Sequence, residues 1–515
     1  MLSRLWNAFD RIEKSPLPLI YWMAVLPAII IVRTFLEGLL EAKHTIILPQ
    51  YFFLEFPISY FVLFLTLLII LRLITRERSA AISKILVVLF SLLLIVPIID
   101  YVISSGEGYH LRYLRGDAFY LLENMATNLS QGASPGQRIE IITFGFLLLA
   151  YIFKKTRSYL KTLIGGIISY VAFVVWGGLP SVFYMLSSLL FGNPLGPSVY
   201  GPGGIFKARV LDTYMTTEVI TLLALLLMCA ELVIILAISD RRRFDFVRRL
   251  LRPLRLAHYI FLGSFGLLLG FHTVGGLEFT LHNYLFALGF LASVLLMYQS
   301  ACIVNDIFDM DLYSRTKMRK SENHSRDLKL LAFLMAAISL LLTQPLGYPV
   351  FVFLATFASL AYMYSAPPLR LKRYPLIASL ILASSALMIV MGGFAVFARG
   401  ATVEAFPADI AVVILIVYTL GTNYKDLKDV ELDRKNGIYT IPVLLGEARG
   451  KAVISALVVM SFILVPAILA MPNLLLPSAL AAAVSPLLIF GNYKEHYFRL
   501  MHLAYLIIAG YMIIF

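Results

Sequence analysis

Two clusters of acidic side chains, each at the end of a long apolar run, are the residues of this chain best suited to chemistry. The first, NDIFDMD, supplies Asn305, Asp306, Asp309 and Asp311; the second, KDLKDVELD, supplies Lys425, Asp426, Asp429, Glu431 and Asp433. Asn305 and Asp309 are four residues apart, and Asp306 and Asp309 three, so a helix places them on one face. Asp426, Asp429 and Asp433, spaced three and four apart, are expected to align in the same way, with Asp311 and Glu431 off those faces. Two carboxylate-bearing helix ends that face one another repel unless cations lie between them. Carboxylate, amide and water oxygens suit Mg²⁺, which completes its shell with substrate phosphates, so the ligand that fits is a diphosphate. A diphosphate that departs also needs fixed positive charge. The segment YSAPPLRLKRYP offers Arg370, Lys372 and Arg373, with Tyr364 at its head, and Lys425 and Arg434 flank the second acidic cluster. Taken alone, either cluster also fits a solvated helix end paired with its basic neighbours. Their recurrence on one membrane side favours the cation site, because charge at the edge of hydrocarbon is costly to keep.

The elements that position these groups are membrane spans. Of 515 residues, 60% are hydrophobic and only 14% charged, against about 25% charged in soluble domains. Lipid is therefore the solvent for most of the chain. With about 20 apolar residues needed to cross a bilayer, six spans are expected before residue 240: near 17–40, 52–74, 82–104, 139–153 (short), 160–182 and 214–238. Nine more are expected near 257–276, 282–304, 328–346, 349–366, 375–397, 407–423, 452–470, 474–490 and 498–514. The fold class predicted is all-α and polytopic: a nine-helix bundle preceded by a separate block of about six transmembrane helices.

The net charge of +13 lies in short basic clusters between spans, which is topology signal and not a nucleic-acid surface. With the N-terminus inside, the clusters Arg72 to Lys84, Lys154 to Lys161, Arg241 to Arg255, Arg315 to Lys320 and Arg370 to Arg373 all fall on the cytoplasmic side, and so do both acidic motifs. The expected location is thus the cell membrane, with the motifs facing the cytoplasm. Arg241 to Arg255 is the densest basic run and marks a boundary, giving an N-terminal membrane domain at 1–240, a basic cytoplasmic linker at 241–256 that suits an anionic leaflet, and a second membrane domain at 257–515. Cys229 and Cys302 sit in separate apolar runs without metal spacing and read as buried hydrophobes. The Gly-rich stretch from Gly196 to Gly204 lacks the Lys-Ser/Thr ending of a phosphate loop and reads as a turn on the far side.

Residues from about 248 to 515 resemble the UbiA superfamily of intramembrane prenyltransferases. NDIFD resembles the family's first Asp-rich motif, and KDLKDVELDRKNGIYTIPVLLG resembles the second closely, including Gly437, Thr440 and Pro442. YSAPPLRLKR and LLRPLR are similar to further family segments. The resemblance implies that Asn305 and Asp309 bind one Mg²⁺ and Asp429 and Asp433 another. It also implies that Asp306 and Asp426 support the metals or the acceptor, and that Arg370, Lys372 and Lys425 hold the diphosphate. In the assignment of roles, Asp306, Asp426 and Lys372 are the candidate catalytic residues, and Tyr364 joins the diphosphate set. One departure stands out. The family's third acid of the first motif falls at Tyr313, an acid sits at Asp311 instead, and the usual Arg-Pro is replaced by Lys317-Met318; an unusual acceptor is the expectation drawn from this.

The function implied is Mg²⁺-dependent transfer of a prenyl group from an allylic (poly)prenyl diphosphate to a lipophilic acceptor within the membrane. The acceptor is either an aromatic ring or a lipid hydroxyl, and the partners implied are these two substrates and membrane lipids. Two alternatives stay open at this stage. One is a lipid-binding or assembly module without catalysis, which the altered first motif permits. The other is an ion-coupled transporter, against which the acids weigh because they cluster at one edge and not at the midplane. The first 240 residues resemble no family, and a protein partner, lipid delivery or a separate activity are the roles considered for them.

Overall fold

The computed structural model describes residues 2–17, 19–40, 56–108, 134–177, 179, 189–190, 211–274, 280–309, 322–398, 403–435, 437–491 and 495–514. The chain forms two compact units, Met1–Phe246 and Val247–Phe515. The described elements are helices, fourteen of them long and apolar enough to cross a membrane, and the protein is a multi-pass membrane protein.

Unit 1 contains α1 (Leu2–Glu13), α2 (Leu19–Leu40), α3 (Phe56–Thr75), α4 (Ser79–Phe90), α5 (Val96–Ile103), α6 (Pro135–Thr156), α7 (Tyr159–Gly177) and α8 (Leu211–Ser239). A 3₁₀ turn, Ser91–Leu94, joins α4 to α5, and together they form one of this unit's five spans among the described residues. The first expected span coincides with α2, which carries a buried ion pair between Arg33 and Glu37 at 2.8 Å. The fourth expected span, read as short, is a helix of 22 residues. Arg138 and Glu140 hide its first turn from a hydropathy reading. Its start is fixed instead by a capping box, in which Ser134 accepts from the Gln137 amide and Gln137 bonds back to the Ser134 amide. The buried Asp100 carboxylate accepts from the Gly136 amide at 2.7 Å, placing negative charge at the positive end of α6.

The helix α9 (Arg241–Leu250) carries the densest basic run, and nine spans follow in unit 2. They are α10 (Pro253–Val274), α11 (Leu281–Asp309), α12 (Glu322–Thr343), α13 (Tyr348–Ser365), α14 (Pro375–Phe397), α15 (Ala408–Gly421), α18 (Glu447–Ile468), α19 (Leu475–Phe490) and α20 (Glu495–Ile514). Two short helices, α16 (Val430–Lys435) and α17 (Ile441–Leu445), lie between α15 and α18. All nine fall on the spans expected from sequence. The bundle closes on itself, since α20 packs back on α10, while α14 packs against α10, α11, α13 and α15 and is buried over most of its circumference. Large side chains such as Leu376, Leu380, Leu476 and Leu487 face outward and are exposed, as lipid contact requires.

No hydrophobic drive presses helices together inside lipid, so backbone approach decides the packing. At α10 and α14 that approach is extreme. A Cβ on Gly266 would stand 2.1 Å from the carbonyl oxygen of Val390. One on Gly393 would stand 2.6 Å from the carbonyl oxygen of Gly263. These contacts hold two walls of the site in register.

Candidate active site

Charged residues of both motifs and of the segment between α13 and α14 meet at the end of the bundle where α10 and α20 begin and α11 and α15 end. They surround a cavity of about 290 Å³. Asn305, Tyr364, Lys372, Lys425, Asp426, Asp429 and Asp433 all line it. Two of the expected residues do not. Arg370 lies beside the cavity, half-buried, with its backbone in the left-handed region at φ 40°. Asp306 is buried and forms an ion pair with Arg252, which does line the cavity. Asp306 thus positions a cation instead of facing the cavity itself.

The first motif is delivered by the length of α11, whose 29 residues continue through Asp309. The Asn305 side-chain oxygen accepts from Lys372 Nζ at 3.1 Å and from Ser365 Oγ at 3.1 Å. Lys372 is buried, at 6% exposure, so its charge is directed into the site and not into solvent. The Asp309 side chain, and Asp311, Tyr313, Lys317, Met318 and the whole Arg315–Lys320 cluster, lie outside the described residues, as does the Gly196–Gly204 stretch.

The second motif is not one continuous helix, contrary to the spacing argument. The helix α15 stops at Gly421, residues Thr422–Leu427 form a 3₁₀ segment, and helix resumes at Val430. Asn423 anchors this break. It is fully buried, accepts from Ser379 Oγ of α14 at 2.9 Å, and donates to the carbonyls of Thr419 (2.8 Å) and Leu420 (3.0 Å). An amide that satisfies three partners stabilises a tighter turn at that depth. Asp429 and Asp433 remain one α-turn apart, because the Asp433 amide donates to the Asp429 carbonyl at 2.8 Å. Asp426 reaches the same cavity from the 3₁₀ segment.

A reversal after α16 closes the motif. The Ile438 amide donates to the Asp433 carbonyl (2.9 Å), the Gly437 amide donates to the Arg434 carbonyl (3.3 Å), and Gly437 has φ +66°. This is the Schellman arrangement, in which the left-handed residue is glycine because a Cβ is disfavoured there. The Tyr439 amide then donates to the Arg373 carbonyl at 3.1 Å, which ties the second motif to the YSAPPLRLKR segment. Gly437→Ala has open space around its new methyl, so its cost is conformational. A loss of about 1–2 kcal/mol is expected, read as a lowered thermal midpoint of the detergent-solubilised protein.

Burial and the negative charges of Asp426 and Asp429 push the Asp433 carboxyl up to about 7. Three carboxylates and an amide oxygen thus face one cavity. Their all-oxygen donor set fits Mg²⁺. Among the described residues, no three His, Cys, Asp or Glu side chains form a metal cage by themselves. A cation at this site must take other donors, as Mg²⁺ does from water and phosphate. Lys425 Nζ donates to Tyr364 OH at 3.0 Å and lies 5.2 Å from the ring centroid, which holds a second cation at the cavity wall.

Further charged or titratable lining residues escape the motif reading, among them Arg255, His258, Glu495, Arg499 and His502. Glu495 accepts from Arg499 Nε at 2.9 Å and forms ion pairs with Arg255 (3.5 Å) and Lys428 (3.4 Å). Their signal is present as ionisable residues inside or at the mouth of apolar spans. It reads as loop charge because Glu495 and Arg499 sit in the basic stretch NYKEHYFR.

Residues 261–501, which include both acidic motifs and most of the residues lining the cavity, match the UbiA prenyltransferase family. Over 152 residues the chain is 32% identical to a lycopene elongase/hydratase of Haloarcula japonica, covering 28% of this chain and 50% of that protein. Over 154 residues it is 29% identical to a digeranylgeranylglyceryl phosphate synthase of Sulfolobus acidocaldarius, covering 28% and 52% respectively. The chain thus spans about half the length of the curated relatives it matches. A UbiA homologue from Archaeoglobus fulgidus bound to GPP and Mg²⁺ superposes with a TM-score of 0.40 and 20% identity, over 52% of this chain and 99% of that one. The C-terminal unit thus carries, over residues 261–501, a domain that matches the UbiA prenyltransferase family.

Proposed function

We propose that this protein transfers a prenyl group from an allylic prenyl diphosphate to a lipophilic acceptor within the membrane, with residues 257–515 carrying the reaction. The observation that supports this most is the convergence of Asn305, Lys372, Lys425, Asp426, Asp429 and Asp433 on one cavity, from separate segments, at one end of an apolar bundle. Residues 1–240 then form a separate membrane domain joined through the basic segment 241–256. The concentration of basic clusters on the side of the motifs supports a cavity mouth that faces the cytoplasm.

In this reading Asn305 and Asp309 would hold one divalent cation and Asp429 and Asp433 the other, with Asp426, on the same cavity, in support. Mg²⁺, when bound, supplies the charge that the diphosphate oxygens need as the allylic C–O bond loosens. Lys372 and Lys425 lie on the same cavity and hold those oxygens, Tyr364 orients Lys425, and Asp306 keeps Arg252 turned toward the site. Arg370 does not line the cavity, and its amide donates to the Ala366 carbonyl at 2.9 Å. Lower in the cavity the lining becomes aromatic and aliphatic, with Tyr259 stacked on Tyr298 at 4.2 Å and Phe357 beside them, and this region keeps water from the allylic cation.

The test is transfer of label from a tritiated prenyl diphosphate by the full-length protein in proteoliposomes made with total lipid extract. The reading expects a labelled lipid product with Mg²⁺ and none with EDTA. Label that enters the vesicles unchanged, or product formation that ignores EDTA, contradicts it.

A further inference from the structure

Forming a bond to the acceptor releases one proton per turnover, and the groups at the cavity mouth are poorly placed to take it. In the reading proposed above, on which this inference rests, the carboxylates are committed to cations. One helical layer below them the cavity changes character. His258 lies five residues into α10, about 8 Å along the axis, and His502 seven residues into α20, about 10 Å along. Tyr418 lies three residues before the end of α15. All three line the cavity below the charged mouth. His258 Nε2 and the Tyr418 hydroxyl are 2.8 Å apart, and the His258 and His502 rings are 5.8 Å apart between centroids. Two imidazoles and a phenol thus meet where the aromatic lining begins.

We infer that the Tyr418–His258 pair is the proton acceptor of the transfer reaction, receiving the hydrogen that the acceptor loses. The allylic C–O bond breaks and its electron pair leaves with the diphosphate. The acceptor's electron pair forms the new bond to the allylic carbon. Its C–H or O–H proton passes to the Tyr418 oxygen as the Tyr418 proton moves to His258 Nε2, leaving an imidazolium that later returns the proton to water at the mouth. No oxidant or further reactant is needed. The relay requires Tyr418 to donate to Nε2, which is one of the two senses that the 2.8 Å contact allows. In the proposed function, a diphosphate held at the charged mouth directs its allylic carbon toward this layer. A purely architectural hydrogen bond would have no need to face the cavity.

The experiment uses full-length protein in proteoliposomes with tritiated geranylgeranyl diphosphate, Mg²⁺, and either 4-hydroxybenzoate or geranylgeranylglycerol as the acceptor probe. For Tyr418→Phe and His258→Ala, kcat for the labelled conjugate is expected to fall by about a hundredfold or more, with KM for the donor unchanged. Added imidazole is expected to restore part of the His258→Ala rate, which loss of a packing contact would not permit. Conjugate formation at the wild-type rate in both variants overturns the relay, and so does a loss that appears in KM alone or that imidazole leaves untouched. If the wild type itself forms no conjugate with either probe, the prenyl-transfer reading falls and the relay with it.

Discussion

Asp433→Asn is expected to lower prenyl transfer by about a hundred- to a thousandfold, the range seen when one preorganised charge-stabilising group is removed from an active site. The substitution keeps the shape of the side chain and its place one α-turn after Asp429. It removes the charge with which the carboxyl is proposed to bind a cation. Because burial and the neighbouring Asp426 and Asp429 already push this group up to about 7, its neutral amide relieves repulsion, and the protein's thermal midpoint should hold or rise slightly. A fall in activity with preserved stability is therefore the signature. Glu431 lies on the same short helix but is exposed and absent from the cavity wall. Glu431→Gln should transfer label at close to the wild-type rate, and steady-state assays of the two variants side by side separate a site effect from a general charge effect.

Gly266→Leu is the second large effect, and it acts on structure first. Even a single Cβ at this position would meet the Val390 carbonyl oxygen at 2.1 Å, and the obstacle is backbone and not a movable side chain. The helices α10 and α14 must separate, which costs about 1–3 kcal/mol for overpacking. The displacement is carried along α10 to Arg255 and His258 and along α14 to the cavity-lining Ala378 and Ile381. A shift on the order of 1 Å at a site costs about a hundredfold in rate, so activity should drop even in the fraction that stays folded. Melting curves in detergent and transfer assays check both parts. A Cβ added to Gly145 of α6 would meet nothing within 4 Å, so Gly145→Ala should be neutral or slightly stabilising, since alanine is the better helix former.

How much of the fold and the site is legible in the sequence depends on which physical signal each feature leaves. Spans of unit 2 follow directly from apolar length, because hydrocarbon tolerates few alternatives. The α6 span reads too short because Arg138 and Glu140 interrupt that signal, while the cap that starts the helix depends on Ser134 and Gln137, and on Asp100 from another helix. The acidic motifs are visible as costly charge, and the Asp429–Asp433 spacing matches the turn that carries them. The break before them is not visible. It depends on Asn423 meeting Ser379, a contact between residues 44 apart in sequence. The same limit explains Asp306, whose partner Arg252 lies 54 residues away in the link before α10, and Arg370, whose left-handed backbone leaves no mark in the sequence. The cations missed altogether, Arg255 and Arg499, resemble ordinary loop charge until α10 and α20 are seen to close the bundle. Charge that a topology rule explains can still line a cavity, and only packing separates the two.

The central claim is that two motifs hold a diphosphate through divalent cations at the mouth of the cavity. Its most direct test is a structure of the full-length protein with Mn²⁺ and geranylgeranyl S-thiolodiphosphate, an unreactive donor, using the anomalous signal of the metal. Metal peaks bounded by Asn305 and Asp309 on one side and by Asp429 and Asp433 on the other, with the diphosphate between them and within reach of Lys372 and Lys425, are the expected result. A diphosphate bound elsewhere, or metal peaks that avoid these four residues, would contradict it.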